Sequence, residues 1–219
     1  LAGDFDVYAA DARGHGFSTL TADPVHYPGW DRYRDDLIFV LEHLCDKAGG
    51  KIWLGGHSMG GCASVMASAL RPDLVAGLVL TDPVIMPRTA RVIARMLFRA
   101  QGGFILAKNA AKRRADWPDA DTVKNAYTGR GAFRTWQDGF LGAYVDGGLR
   151  PLHGCAENTV TLACTPAWEA ANFSDQRHDS TGPARRLKMP FTLMVAENGS
   201  TTRSLLAFRL ARVPKKIEV

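Results

Sequence analysis

A chain of 219 residues, 46% hydrophobic and 22% charged, has the size and composition of one globular domain, or of one domain carrying an insertion. Its net charge of +5 is too small and too scattered to argue for nucleic acid. No apolar run approaches the ~20 residues of a membrane helix, so no membrane span is expected. Cys45, Cys62, Cys155 and Cys164 form no C-x-x-C pair, and no histidine stands at zinc spacing, which reads as a cytoplasmic protein with reduced thiols and no metal. The opening Leu1-Ala2-Gly3-Asp4 is neither a signal peptide nor a lipidation motif.

Phe5 to Ala10 is rich in β-formers and predicts a strand, running into the polar turn Asp11-Ala12-Arg13-Gly14-His15-Gly16-Phe17-Ser18. Pro24, Pro28 and Gly29 mark a loop. Asp31 is placed to N-cap a helix through about Asp46, with Tyr33, Leu37, Val40, Leu41 and Leu44 on one face. Gly49-Gly50 then leads into the apolar stretch Lys51-Ile52-Trp53-Leu54-Gly55, which reads as a buried strand.

That strand ends in Gly56-His57-Ser58-Met59-Gly60, a Gly-x-Ser-x-Gly pattern followed at once by a helix of small residues, Cys62 to Leu70. A serine between strand and helix reads as a nucleophile elbow, a sharp turn that lifts its hydroxyl clear of the sheet. Glycines at 56 and 60 are expected to remove Cβ atoms that would clash across the bend. The helix N-terminus favours negative charge there, and the Met59 N–H points to where an oxyanion would form. Val75 to Thr81 makes a third strand, ending at Asp82-Pro83. Near-continuous apolar strands alternating with helices predict an α/β fold, a mostly parallel sheet with helices on both faces.

The alternation stops after Pro83. Residues 84–185 read as a mostly helical cap insertion with one strand near Thr159–Ala163, between a first part of the core at 1–83 and a second at 186–219. The second part holds a strand at Pro190–Ala196, a helix at about Thr201–Ala211 and a strand starting near Lys216. Arg88, Arg91, Arg95 and Arg99 recur at helical steps opposite Val92 and Met96, with Lys108, Lys112, Arg113 and Arg114 extending the charge along a solvated face. Trp117, Phe133, Trp136, Phe140 and Tyr144 are aromatic residues for packing the cap or lining an apolar pocket. Glu169 follows Thr165-Pro166 as a helix-start charge.

Asp11 to Ser18, Gly56 to Gly61, and Leu78-Val79-Leu80-Thr81-Asp82-Pro83 together resemble the α/β-hydrolase superfamily in order and spacing. The resemblance implies a nucleophile, an acid and a histidine in that chain order, with two oxyanion donors. Ser58 carries over as nucleophile and the Met59 N–H as one donor. A serine where epoxide hydrolases of the superfamily carry aspartate implies acyl transfer. The acid stays open between two places: Asp82, which also reads as a loop-capping residue before Pro83, and Glu197, in a loop where Gly199 takes the usual aspartate position. The resemblance puts the second donor upstream of Phe5 and the base histidine beyond Val219. On this reading the chain is a fragment lacking both, and as such inactive or crippled, since a serine without its base is a poor nucleophile.

The implied function is a serine hydrolase cleaving a small-molecule carboxylic ester or related acyl bond, without cofactor or nucleic acid. The alternatives are a non-catalytic binder of a small ligand and a C–C bond hydrolase on the same triad. No feature bears on oligomeric state.

Overall fold

A computed structural model of the chain describes residues 3–86, 92, 96, 105–175, 177–197, 200 and 202. By its contacts the chain divides into two compact units: Leu1–Tyr27 with Phe104–Ser174, and Pro28–Gly103 with Asp175–Val219.

The second unit holds the sheet. Helix α1 (Trp30–Ala48) starts after Gly29, whose φ of 89° suits only glycine. Asp31 lies in its first turn but does not cap it; the Asp175 carboxylate, from far along the chain, accepts the Trp30 N–H at 3.0 Å. The helix ends on Gly49 in the left-handed conformation, with the Gly50 N–H returning to the Cys45 carbonyl at 3.1 Å. Strand β1 (Ile52–His57) runs directly into α2 (Ser58–Leu70), and β2 (Val75–Thr81) follows. Ser64 and Ser68 are buried in α2 because each hydroxyl donates to the carbonyl four residues back, at 2.8 and 2.7 Å.

Further along the chain, a short helix at Thr181–Arg185 precedes a strand at Phe191–Met194 in the same sheet, whose order places β2 between β1 and that strand, all parallel. Leu54, Leu78, Leu80, Phe191 and Leu193 share one core with Leu41 of α1 and Val65 and Ala67 of α2. On the alternate positions Trp53, Val79 and Met194 are exposed. The helices of this unit thus pack on the sheet through a shared core. No described helix is long and apolar enough to cross a membrane.

Phe5 to Ala10 does not form the expected strand. No ladder among the described residues includes it, and Phe5, Val7 and Tyr8 are 53–60% exposed. β-forming side chains do not make a strand without a neighbour to satisfy the backbone. The segment falls in the unit formed by Leu1–Tyr27 with Phe104–Ser174.

In that first unit, Asp11 to Ser18 is a built turn. The Asp11 carboxylate accepts the Phe17 N–H at 2.7 Å, and a Cβ on Gly16 would fall 2.0–2.3 Å from that carboxylate. The Arg13 carbonyl accepts from the indole N–H of the buried Trp168 at 3.0 Å, and a Cβ on Gly14 would strike the same indole. The unit also holds α3 (Ile105–Ala111), β3 (Asp116–Trp117), α4 (Ala120–Tyr127), α5 (Phe140–Gly148), β4 (Leu149–Pro151), β5 (Val160–Leu162) and α6 (Pro166–Ser174). The expected strand near 159–163 is β5, central in an antiparallel ribbon with β3 and β4. The short helix at Thr181–Arg185 is α7, and Phe191–Met194 is β6.

Arg113 does not extend a solvated stripe. Its guanidinium donates to Glu169 at 2.6 Å and to the Tyr144 hydroxyl at 3.0 Å, tying the end of α3 to α6. Glu169 stands in the first turn of α6, as expected, and is also the ion-pair partner of Arg113. Burial, with Glu169 adding to it, pushes the neighbouring Cys164 thiol up to about 12. Tyr127, Phe133, Trp136 and Tyr144 cluster, Tyr127 stacked on Phe133 at 4.8 Å and Trp136 meeting Phe133 edge-on, while Phe140 stays exposed. The Arg88–Arg99 stripe, the helix at 201–211 and the strand near 216 lie outside the described residues; Val92 and Met96 are helical and exposed.

Leu78 is fully buried at the centre of the sheet core. Leu78→Ala is expected to lower the free energy of unfolding by about 3 kcal/mol, read from urea denaturation.

Candidate active site

β1 ends at His57 and α2 begins at Ser58, so one residue takes the whole bend from strand to helix. Ser58 has φ +51°, in the left-handed region, at a cost of about 1–3 kcal/mol for a residue with a Cβ. Close backbone approach holds it there. A Cβ on Gly56 would sit 2.7 Å from the Gly60 carbonyl group and from the Gly61 Cα. A Cβ on Gly61 would sit 2.8 Å from Pro83 and 3.0 Å from the Gly56 carbonyl oxygen. Gly60, expected to be the second obligatory glycine, meets nothing within 4 Å of its missing Cβ among the described residues. The phase of α2 turns position 61, not 60, toward β1 and the loop after β2.

Ser58 is partly buried, and its hydroxyl makes no hydrogen bond among the described residues. Its carbonyl accepts the Val84 N–H at 3.2 Å, fastening the elbow to the loop after β2. The Met59 N–H lies in the first turn of α2, among the N–H groups that a helix leaves without internal partners.

Asp82 leaves β2 beside the elbow. The register pairs His57 with Thr81, so Ser58 and Asp82 are the next residues on two strands ~4.8 Å apart. Asp82 also has positive φ, +43°. Its N–H donates to the Met194 carbonyl at 2.7 Å, and its Oδ1 accepts the Ser200 hydroxyl. The other candidate acid, Glu197, is exposed in the turn after β6, and Gly199 lies outside the described residues. Ser200, Val84 and Gly61 escaped the sequence reading. The Gly60-Gly61 pair was a signal for the last, whereas a bond between residues 118 apart leaves none.

None of the six histidines is hydrogen-bonded to Ser58. His57 is exposed next to it, and His43 and His153 are exposed elsewhere. His26 bonds Asp23 at 2.6 Å, and the His15 ring meets the Arg13 carbonyl at 3.0 Å. His178 is fully buried, stacked on Trp30 at 4.0 Å with its Nδ1 4.0 Å from the Asp175 carboxylate, so it has no exposed edge to offer a substrate.

A strained serine between parallel strand and helix, with a carboxylate at the end of the next strand, marks an α/β-hydrolase. The model of the family described as serine aminopeptidase, S33, matches residues 1–124, and the chain belongs to that family. It is 32% identical to lipase LipV of Mycobacterium tuberculosis over 122 residues, 54% of this chain and 44% of the relative. It is 35% identical to human monoglyceride lipase over 86 residues, 38% of this chain and 27% of that enzyme. The matches thus span less than half the length of either curated relative. The fold is shared with E-2-(acetamidomethylene)succinate hydrolase, at a TM-score of 0.69 and 22% identity, covering 92% of this chain and 67% of that one.

Gly56→Ala is expected to cost about 2 kcal/mol of stability, because backbone on both sides must move. Gly60→Ala is expected to stay within about 0.5 kcal/mol of wild type; urea unfolding of the pair distinguishes the two glycines.

Proposed function

We propose that the protein is a serine hydrolase that cleaves a small-molecule carboxylic ester through an acyl-enzyme on Ser58. The observation that carries this is the left-handed Ser58 at the junction of β1 and α2, with Asp82 beside it at the end of β2. The lipase names of the curated relatives support the same chemistry.

In this mechanism Ser58 Oγ attacks the ester carbonyl as a base removes its proton. The negative charge moves to the carbonyl oxygen, held by the Met59 N–H and the positive end of α2. Collapse of the tetrahedral intermediate expels the alcohol, which takes up the proton. Water then repeats the sequence on the acyl-enzyme and releases the acid. Asp82 orients the imidazole base and stabilises its charged form. The chemistry needs no metal or cofactor. With none of its six histidines held against Ser58, the 219-residue chain by itself is expected to turn over poorly.

The test uses the protein expressed from its complete reading frame. A fluorophosphonate probe is expected to label Ser58, and Ser58→Ala to reduce both labelling and aryl-ester turnover by ~10³-fold or more. Labelling and turnover untouched by the substitution contradict the proposal. Turnover of a diketone but of no ester moves the chemistry to C–C cleavage.

A further inference from the structure

The loop after β6 does more than end a strand. Three hydrogen bonds from the last residue of β6 and the loop after it grip the two residues that follow β2. The Met194 carbonyl accepts the Asp82 N–H at 2.7 Å, Ser200 Oγ donates to Asp82 Oδ1, and Thr202 Oγ1 donates to the Pro83 carbonyl. Thr202 is 1% exposed, so this last bond is made in the interior.

The direction of the Ser200 bond follows from its other partner. The Thr202 N–H donates to Ser200 Oγ at 3.0 Å, filling its acceptor role and leaving the hydroxyl proton for the carboxylate. Asp82 is therefore fixed at two points, its backbone N–H and its Oδ1. Its left-handed φ of +43° is held by the same contacts. Oδ2 takes no hydrogen bond among the described residues and remains for a second donor. On the other side, the Val84 N–H bonds the Ser58 carbonyl at 3.2 Å. Nucleophile, Asp82-Pro83-Val84 and the loop after β6 form one hydrogen-bonded run.

From this geometry we infer that Ser200 is a positioning residue for the hydrolytic reaction, locking Asp82 in the orientation in which its free oxygen receives the base. The inference rests on the reading of Ser58 as nucleophile. In this arrangement the acid comes from the loop after β2, and the loop after β6 supplies a hydroxyl to hold it. Glu197 of that loop is exposed to solvent and makes no hydrogen bond to Asp82 or Ser58 among the described residues. An acid held by one hydroxyl less samples more rotamers, so the loss appears in the chemical step rather than in substrate binding.

The test measures steady-state ester hydrolysis by the protein from its complete reading frame. Ser200→Ala is expected to lower kcat about tenfold at unchanged KM. Ser200→Thr, which keeps the hydroxyl, is expected to restore most of it, and Glu197→Gln to leave kcat within twofold. In an Asp82→Asn background, Ser200→Ala is expected to add less than twofold, because the two act as one unit. Should Ser200→Ala fold poorly, Ser200→Cys keeps the size but donates weakly, and is expected to show the same kcat loss at an unchanged urea midpoint. Unchanged kcat in the Ala and Cys variants, an equal loss in the Thr variant, full additivity with Asp82→Asn, or a loss confined to Glu197→Gln overturns the inference. The parent reading fails separately: turnover that survives Ser58→Ala removes the nucleophile itself, whatever Ser200 does.

Discussion

The site depends on one steric constraint, the contact of the backbone at Gly56 with the backbone at Gly60 and Gly61. With 2.7 Å between a would-be Cβ and the facing atoms, strand and helix are pressed together more closely than any side chain allows. The chain can then turn only within a single residue, and that residue is Ser58. Its positive φ is a cost of about 1–3 kcal/mol, offset by the packing of α2 and the sheet core around it. Gly61 extends the constraint to Pro83, so the same close approach that shapes the elbow also fixes the start of the loop carrying Asp82.

The parallel register turns that local bend into a site. Equal register at His57 and Thr81 brings the ends of two strands to the same level, where each contributes one left-handed residue with a polar side chain. A parallel sheet aligns the carboxyl ends of its strands on one edge, and groups gathered there can cooperate without being near in sequence. Hydrogen bonds of Val84 to Ser58 and of Ser200 to Asp82 then make the three loops at that edge mutually dependent.

Much of this was legible in the residues. The alternation of apolar stretches with helical ones located β1, α2 and β2, because a strand buried in a parallel sheet writes itself as a continuous apolar run. Gly-x-Ser-x-Gly between two such elements located Ser58. Three things were not legible. Phe5 to Ala10 has strand composition, but composition does not say whether a partner strand stands beside it. Asp31 looked like the cap of α1, while the carboxylate that accepts the Trp30 N–H belongs to Asp175, 145 residues away. Arg113 looked like one of a row of surface cations, and the partner that draws it inward, Glu169, lies 56 residues further on. In each case the decisive partner is supplied by tertiary structure.

The most direct measurement is a crystal structure of the protein after reaction with an organophosphonate ester. Phosphorus is expected on Ser58 Oγ, with the phosphonyl oxygen within about 3.2 Å of the Met59 nitrogen and Asp82 still bonded to Ser200. Phosphorus on another residue, or an adduct on Ser58 whose oxygen points away from the start of α2, contradicts this expectation.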